Sequence, residues 1–326
     1  MGGKMVSRIL ILVLCCAATG WTGIVDDATV LMDQGHFEEA RPLLERALED
    51  SDTESLAVLP LVQTCNELED WEAGVDYGKR AIKLLPKSSD AHYQYAVALR
   101  TKMTNVGKAR AMFTIRAYKK ELKEAIKLDP KNVDAIVERI GFLINAPGVA
   151  GGDLDEAEAE LVGLERLNWL LAKKMQLGIA IRREDVLAAT NVSKEILKRH
   201  PDDAETRSVL AYAFQQDERF EEADAQFAQL VKNEDREIAL GALYQRGRTR
   251  VLGNYELEEA ISMFEEYIRE FDDGNPRLVP KAAAVWRIGT AYQQLGKIDS
   301  ARHSFEEALR LDPDFKEAKD SLKKLK

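Results

Sequence analysis

Cysteine is nearly missing from the 326 residues: three occur, and Cys15 and Cys16 lie inside an N-terminal apolar run. Without that run only Cys65 remains, and one cysteine cannot close an intramolecular disulfide, so a disulfide-stapled fold is excluded. Cys65 reads as a buried, inert thiol beside Val62. Proline is scarce, at nine, which permits long helices. Histidine is scarcer: His36, His92, His200 and His303 are scattered, with no second ligand at metal-binding spacing and no H-E-x-x-H helix. His92 and His200 fall near helix boundaries and read as structural. A G-x-x-x-x-G-K-[ST] phosphate loop and a G-x-S-x-G nucleophile elbow are also absent. No cofactor and no metal are expected, and the chain reads as a non-enzyme.

Positive charge is in deficit. The formal net charge is −10, and removal of residues 1–20 takes away Lys4 and Arg8 but no acid. An acidic surface repels phosphate backbones, so nucleic-acid binding is not expected. Long apolar runs are limited to Ile9–Ala18, preceded by Lys4 and Arg8 and followed by Ala18-Thr-Gly20. A basic stretch, a short apolar stretch and small residues form a secretory signal over 1–20, with cleavage before Trp21. Lipidation at Cys15 or Cys16, or retention as an anchor, are the alternatives. The chain is therefore expected to be exported, to a periplasm or cell envelope, and to meet a membrane only through a retained or lipidated N-terminus.

Helix-forming residues are abundant, with 45% apolar and 31% charged residues. Their spacing repeats. Near the C-terminus Val285, Ile288, Gly289 and Tyr292 precede Ala301, Phe305, Ala308 and Pro313. Two antiparallel helices pack closely where small residues face each other. Gly289 and Ala301 are expected to form that pair, with Tyr292 and Phe305 filling the space beside it and Pro313 ending the unit. Upstream, Phe220-Glu-Glu-Ala223 repeats Phe37-Glu-Glu-Ala40, and equivalent positions fall at 40, 74, 118, 157, 189, 223, 260 and 301. Two of the intervals are 34 residues; the longer ones imply lengthened helices or loops.

In these residues the chain resembles a tetratricopeptide repeat protein. The resemblance implies an all-α, right-handed superhelical solenoid of about eight helix pairs, near 24–52, 55–86, 89–130, 133–168, 170–201, 204–235, 240–275 and 282–313. A capping helix over 314–326 follows. Two segments depart from the pattern. Residues 101–129 are long and basic, with Lys102, Lys108, Arg110, Arg116, Lys119, Lys120 and Lys123. Asn145–Asp153, with Pro147 and three glycines, forms a turn that resembles a loop of exported bacterial tetratricopeptide repeat proteins of poorly defined function. Asp153 is expected to cap the next helix, and the acids Asp155, Glu156 and Glu158 to form a solvated face, not a calcium loop.

The resemblance further implies a partner protein or extended peptide held in a groove lined by the first helix of each pair. The residues it places there are Tyr93 and Arg100; Lys174 and Arg182; Tyr212, Gln215 and Gln216; and Trp286, Thr290, Gln293 and Gln294. Trp286 has a second reading, burial against the preceding pair or the C-terminal helix. Arg246, Arg248 and Arg250 either form a positive patch for an acidic segment or pair with neighbouring acids such as Glu258 and Glu259. The chain thus reads as a binding scaffold, or alternatively as a membrane-tethered assembly or secretion accessory factor.

Overall fold

Capping and turn chemistry divide the chain into helices. In the computed structural model, which describes residues 22–325, short polar side chains accept hydrogen bonds from the first free backbone N–H groups of seven helices. They are Asp70, Ser88, Asn132, Asn168, Asp185, Asp203 and Asp235. The expected signal segment 1–20 lies outside the described residues. No helix of the described residues is long and apolar enough to cross a membrane.

The contacts separate the chain into two units, one through Asp153 and one from Leu154. The first contains α1 (Thr22–Asp33), α2 (Phe37–Leu48), α3 (Glu54–Glu67), α4 (Trp71–Leu84), α5 (Ser89–Asn105), α6 (Lys108–Leu128) and α7 (Val133–Asn145). The second contains α8 (Leu154–Leu167), α9 (Trp169–Arg182), α10 (Val186–Arg199), α11 (Ala204–Gln216), α12 (Phe220–Leu230), α13 (Arg236–Gly253), α14 (Leu257–Glu270), α15 (Lys281–Gln294), α16 (Ile298–Leu311) and α17 (Lys316–Lys324). Among the described residues there is no strand. Within each unit successive helices pack on one another, and α1 also meets α3, α3 meets α5, and α13 meets α15. This is an all-α helical repeat.

Five turns between successive helices share one geometry. The backbone N–H groups of His36, Asp70, Asp185, Arg219 and Lys297 each bond a carbonyl five residues back. The residue before each takes a left-handed conformation: Gly35, Glu69, Glu184, Glu218 and Gly296. These are the hydrogen bonds of a Schellman-type cap. Glycine accepts that conformation freely, whereas the three glutamates hold it against a steric cost of about 1–2 kcal/mol each. The longer intervals at 101–129 prove to be lengthened helices, 17 residues in α5 and 21 in α6. The Asn145–Asp153 segment is a turn: residues 148–150 form one turn of 3-10 helix, Gly151 is left-handed, and the Asp153 N–H donates to the Leu143 carbonyl.

The tightest contact inside the last pair corrects the sequence expectation. A β-carbon on Gly289 would lie 2.5 Å from Phe305 Cε1 and 3.1 Å from Ser304 Cβ, so the ring of Phe305, and not Ala301, fills the space above the glycine. Ala301 and Phe305 are one turn apart on the same face of α16, and both are fully buried. Gly247 of α13 meets Phe264 of α14 in the same way, at 2.9 Å. Gly289→Ala should therefore destabilise by about 1–3 kcal/mol through overpacking, and Phe305→Leu should relieve part of that loss in the double variant. Urea denaturation of the four members of the cycle reads the coupling; strict additivity would mean that ring and glycine do not touch.

Candidate functional site

Packing consumes one face of each helix and leaves another to solvent. On α11, Leu210, Ala211 and Phe214 are buried, which turns Tyr212, Gln215 and Gln216 to the other side. Tyr212 remains 45% exposed, with the edge of its ring on Phe227 at 5.3 Å between centroids. It stands between two clefts. One, among α9, α10 and α11, has mainly apolar walls that include Ile181, Val186, Val209 and Gln216. The other, among α11, α13 and the segment leading into α15, is bordered by Ser208, Gly241, Gln245, Arg277 and Leu278. Tyr267 fixes the far wall by donating its hydroxyl to the Val279 carbonyl at 2.6 Å.

The polar residues of this face lock neighbouring repeats together. Gln215 donates to the Thr249 hydroxyl at 2.5 Å and accepts from Arg248 at 2.8 Å, so it bridges α11 and α13. Gln294 donates to the Val251 carbonyl at 3.0 Å and bridges α15 and α13. Lys174 ties α9 to the start of α11 through Asp203 at 2.8 Å and Glu205 at 2.9 Å. Gln216 is exposed, Gln293 is half-buried, and Arg182 is exposed at the end of α9.

The three arginines of α13 do not form one patch. Residues four apart share a helix face and the residue between them points the other way. Arg246 and Arg250 both bind the buried carboxylate of Asp224 on α12, at 2.8 and 3.0 Å, and Arg250 also binds Glu256 at 2.7 Å. The acids they pair with are thus Asp224 and Glu256, not the expected Glu258 and Glu259. Burial alone would raise the Asp224 carboxyl, but hydrogen bonds and charge from the two arginines hold it below the usual range. Arg248, on the opposite side, bonds only side-chain amides, of Gln215 and of Gln245 at 3.2 Å, and no carboxylate lies within ion-pair distance among the described residues.

Sequence spacing did not reveal Arg287. It lies on α15 near Tyr244 and Arg248. Burial weighs against its charge, Tyr244 offsets part of that, and its Nε has no hydrogen-bond partner among the described residues. Only the packing of α15 on α13 brings the two guanidinium groups together.

Trp286 takes its second reading. Its indole N–H donates to Ser321 of α17 at 3.0 Å and its ring meets the edge of Phe315 at 5.9 Å. The last pair would otherwise present an uncovered apolar face, and Trp286, Val285 and Ala308 bury that face against Ala318. Thr290 turns its hydroxyl back to the Trp286 carbonyl.

In the first unit, Tyr93 and Arg100 surround Glu138 of α7. Arg100 pairs with Glu138 at 2.8 Å, and the Tyr118 hydroxyl donates to it at 2.8 Å. Burial and the nearby carboxylates Asp134 and Glu138 push the Tyr93 phenol up to about 12. His92 is buried against Glu121 at 2.6 Å, and His200 stacks on Trp169. Burial pushes the Cys65 thiol up to about 11, which suppresses the reactive thiolate. In the second unit, Asp155 and Glu158 pair with Arg183. Among the described residues no three His, Cys, Asp or Glu side chains are placed to hold a metal ion.

Models of the tetratricopeptide repeat match residues 25–89 and 282–324. Among solved structures the chain is similar to a tetratricopeptide repeat protein of Parabacteroides merdae, at 12% identity over 83% of this chain and 98% of that one, with a TM-score of 0.55. It is also similar to yeast Tom70, at 15% identity over 98% of this chain and 66% of that one, with a TM-score of 0.54. At such identities the likeness is one of fold. No curated protein matches the chain in sequence.

Removing the Asp224 carboxylate leaves two inward-facing guanidinium groups without their counter-charge. Asp224→Asn should cost roughly 3–5 kcal/mol at neutral pH. Because the folded carboxyl titrates below its unfolded value, this stabilisation is complete above about pH 4 and fades as the pH falls through the lowered folded value. Urea midpoints of wild type and variant should therefore converge toward strong acid; a gap independent of pH would exclude the ion pair as its cause.

Proposed function

We propose that this chain, which is a tetratricopeptide repeat protein, works as a non-enzymatic scaffold of the cell envelope that holds a peptide or partner protein against the faces of α9, α11 and α13. The observation that carries the reading is Tyr212. It is a large, stiff, amphipathic side chain left half-exposed between two clefts, in a fold whose other large aromatics are mostly buried. Such rings are common anchors of protein interfaces. Ile181 and Val209 offer apolar contact on one side of it. Beside it Arg248, which bonds Gln215 and Gln245 and has no carboxylate within ion-pair distance among the described residues, offers positive charge that an acidic residue of a partner complements.

The envelope location rests on residues 1–20, where two cations precede an apolar run and small residues follow. Mass spectrometry of the N-terminus of protein taken from native membranes and soluble fractions tests it. A start at or near Trp21 supports cleavage and export, a lipid-modified cysteine supports tethering, and an intact Met1 in soluble protein rejects both.

Partner capture tests the groove. A protein that co-purifies with the wild type, once identified and purified, should bind Tyr212→Ala or Arg248→Ala at least about tenfold more weakly, with thermal unfolding close to wild type. Unchanged affinity in both variants would remove the binding face from these helices.

A further inference from the structure

The basic segment that interrupts the repeat pattern has no part in the groove just described. Between Lys102 and Lys123 stand seven cations and one acid, Glu121, in a chain of net charge −10. That acid is withdrawn from the surface: it is buried against His92 at 2.6 Å and bound by Lys120 at 3.0 Å. Lys108, Arg110, Arg116 and Lys123 are exposed, and no carboxylate lies within ion-pair distance of them among the described residues.

The helices that carry these charges are the lengthened ones. At 21 residues α6 exceeds the 14-residue α4 by seven, which is about 10 Å of helix. Its first turns are almost wholly exposed and carry two large apolar side chains side by side, Met112 at 52% and Phe113 at 83% exposure. At about 100° per residue, Met112, Phe113, Arg116 and Lys123 fall on one side of α6, within roughly 100° of one another. The buried side of the same helix is made by Thr114, Tyr118, Leu122 and Ala125.

A helix face that combines a phenylalanine and a methionine with surrounding lysine and arginine, and carries no exposed acid between them, matches the interfacial region of a bilayer. There the cations meet lipid phosphates and the apolar groups leave water without needing a preformed pocket. A protein partner would have to supply both a pocket for Phe113 and a carboxylate for each cation.

We propose that the outer face of α6 binds the surface of an anionic lipid bilayer, with Arg116 and Lys123 on lipid phosphates, Met112 and Phe113 in the headgroup layer, and Lys108 and Arg110 at the two flanks of that face. This contact is independent of the N-terminus and uses none of the residues of the α9–α11–α13 face.

The test uses the full chain and sedimentation with vesicles of phosphatidylcholine alone or mixed with phosphatidylglycerol. Wild type should bind the phosphatidylglycerol vesicles more tightly, and the difference should shrink as salt is raised. Each surface cation contributes about 1 kcal/mol at an anionic membrane, so the double variant Arg116→Glu, Lys123→Glu should bind at least about tenfold more weakly. Phe113→Ser should weaken binding several-fold at any salt concentration, and Arg116→Lys should bind like wild type. All these side chains are exposed, so melting temperatures should match wild type. A retained apolar N-terminus would bind both vesicle types and would be insensitive to these variants. The proposal is overturned if binding does not depend on phosphatidylglycerol, or if that dependence survives the double variant. It is also overturned if the same residues capture an acidic soluble protein while vesicles are ignored.

Discussion

The ring of Phe305 lies so close over Gly289 that no β-carbon fits between them, and Phe264 covers Gly247 in the preceding pair. This contact sets how near two antiparallel helices come. It brings the backbone of one helix against the side chains of the next and so buries Phe305, Ala301 and Ala308 completely. Burying a phenylalanine in this way is worth several kcal/mol per pair. Within each unit successive helices cover one another's apolar faces, and at the C-terminus α17 takes that role through Ala318 and Phe315.

Once stacking supplies the stability, polar residues are free for other tasks, and the structure uses them in two ways. Some hold adjacent helices in register, as the Asp224 carboxylate does for α12 and α13 and as Gln215 does for α11 and α13. Others stay available to solvent. Arg248 remains without a carboxylate partner among the described residues of the second unit, and the outer face of α6 remains basic in the first. The proposed partner face and the proposed lipid face thus use different elements of the same chain.

Much of the fold was legible because the repeat is written in residue size. Gly289, Tyr292, Ala301, Phe305 and Pro313 mark a helix pair by their spacing alone, and aspartate, asparagine and serine mark many of the helix starts. The left-handed turns were only half legible. Gly35 and Gly296 announce them, but Glu69, Glu184 and Glu218 occupy the same position against their intrinsic preference, because the six-residue hydrogen-bond closure of the turn outweighs the local cost. At the candidate site, Tyr212 was placed by what the resemblance to the repeat family implies. Arg287 was not, because its surroundings come from a helix some forty residues away in sequence.

The sequence by itself determined the class of structure, the small-and-aromatic spacing of the last helix pair and the turn at Asn145–Asp153. All of these follow from periodicity within a single helix or turn. Only tertiary structure decided which partner each exposed-looking residue takes. It gave Trp286 to α17, the paired arginines to Asp224, and the ring of Phe305 to Gly289. The physical reason is that periodicity fixes the direction in which a side chain leaves its own helix, whereas what it meets depends on how far and at what angle the next helix packs.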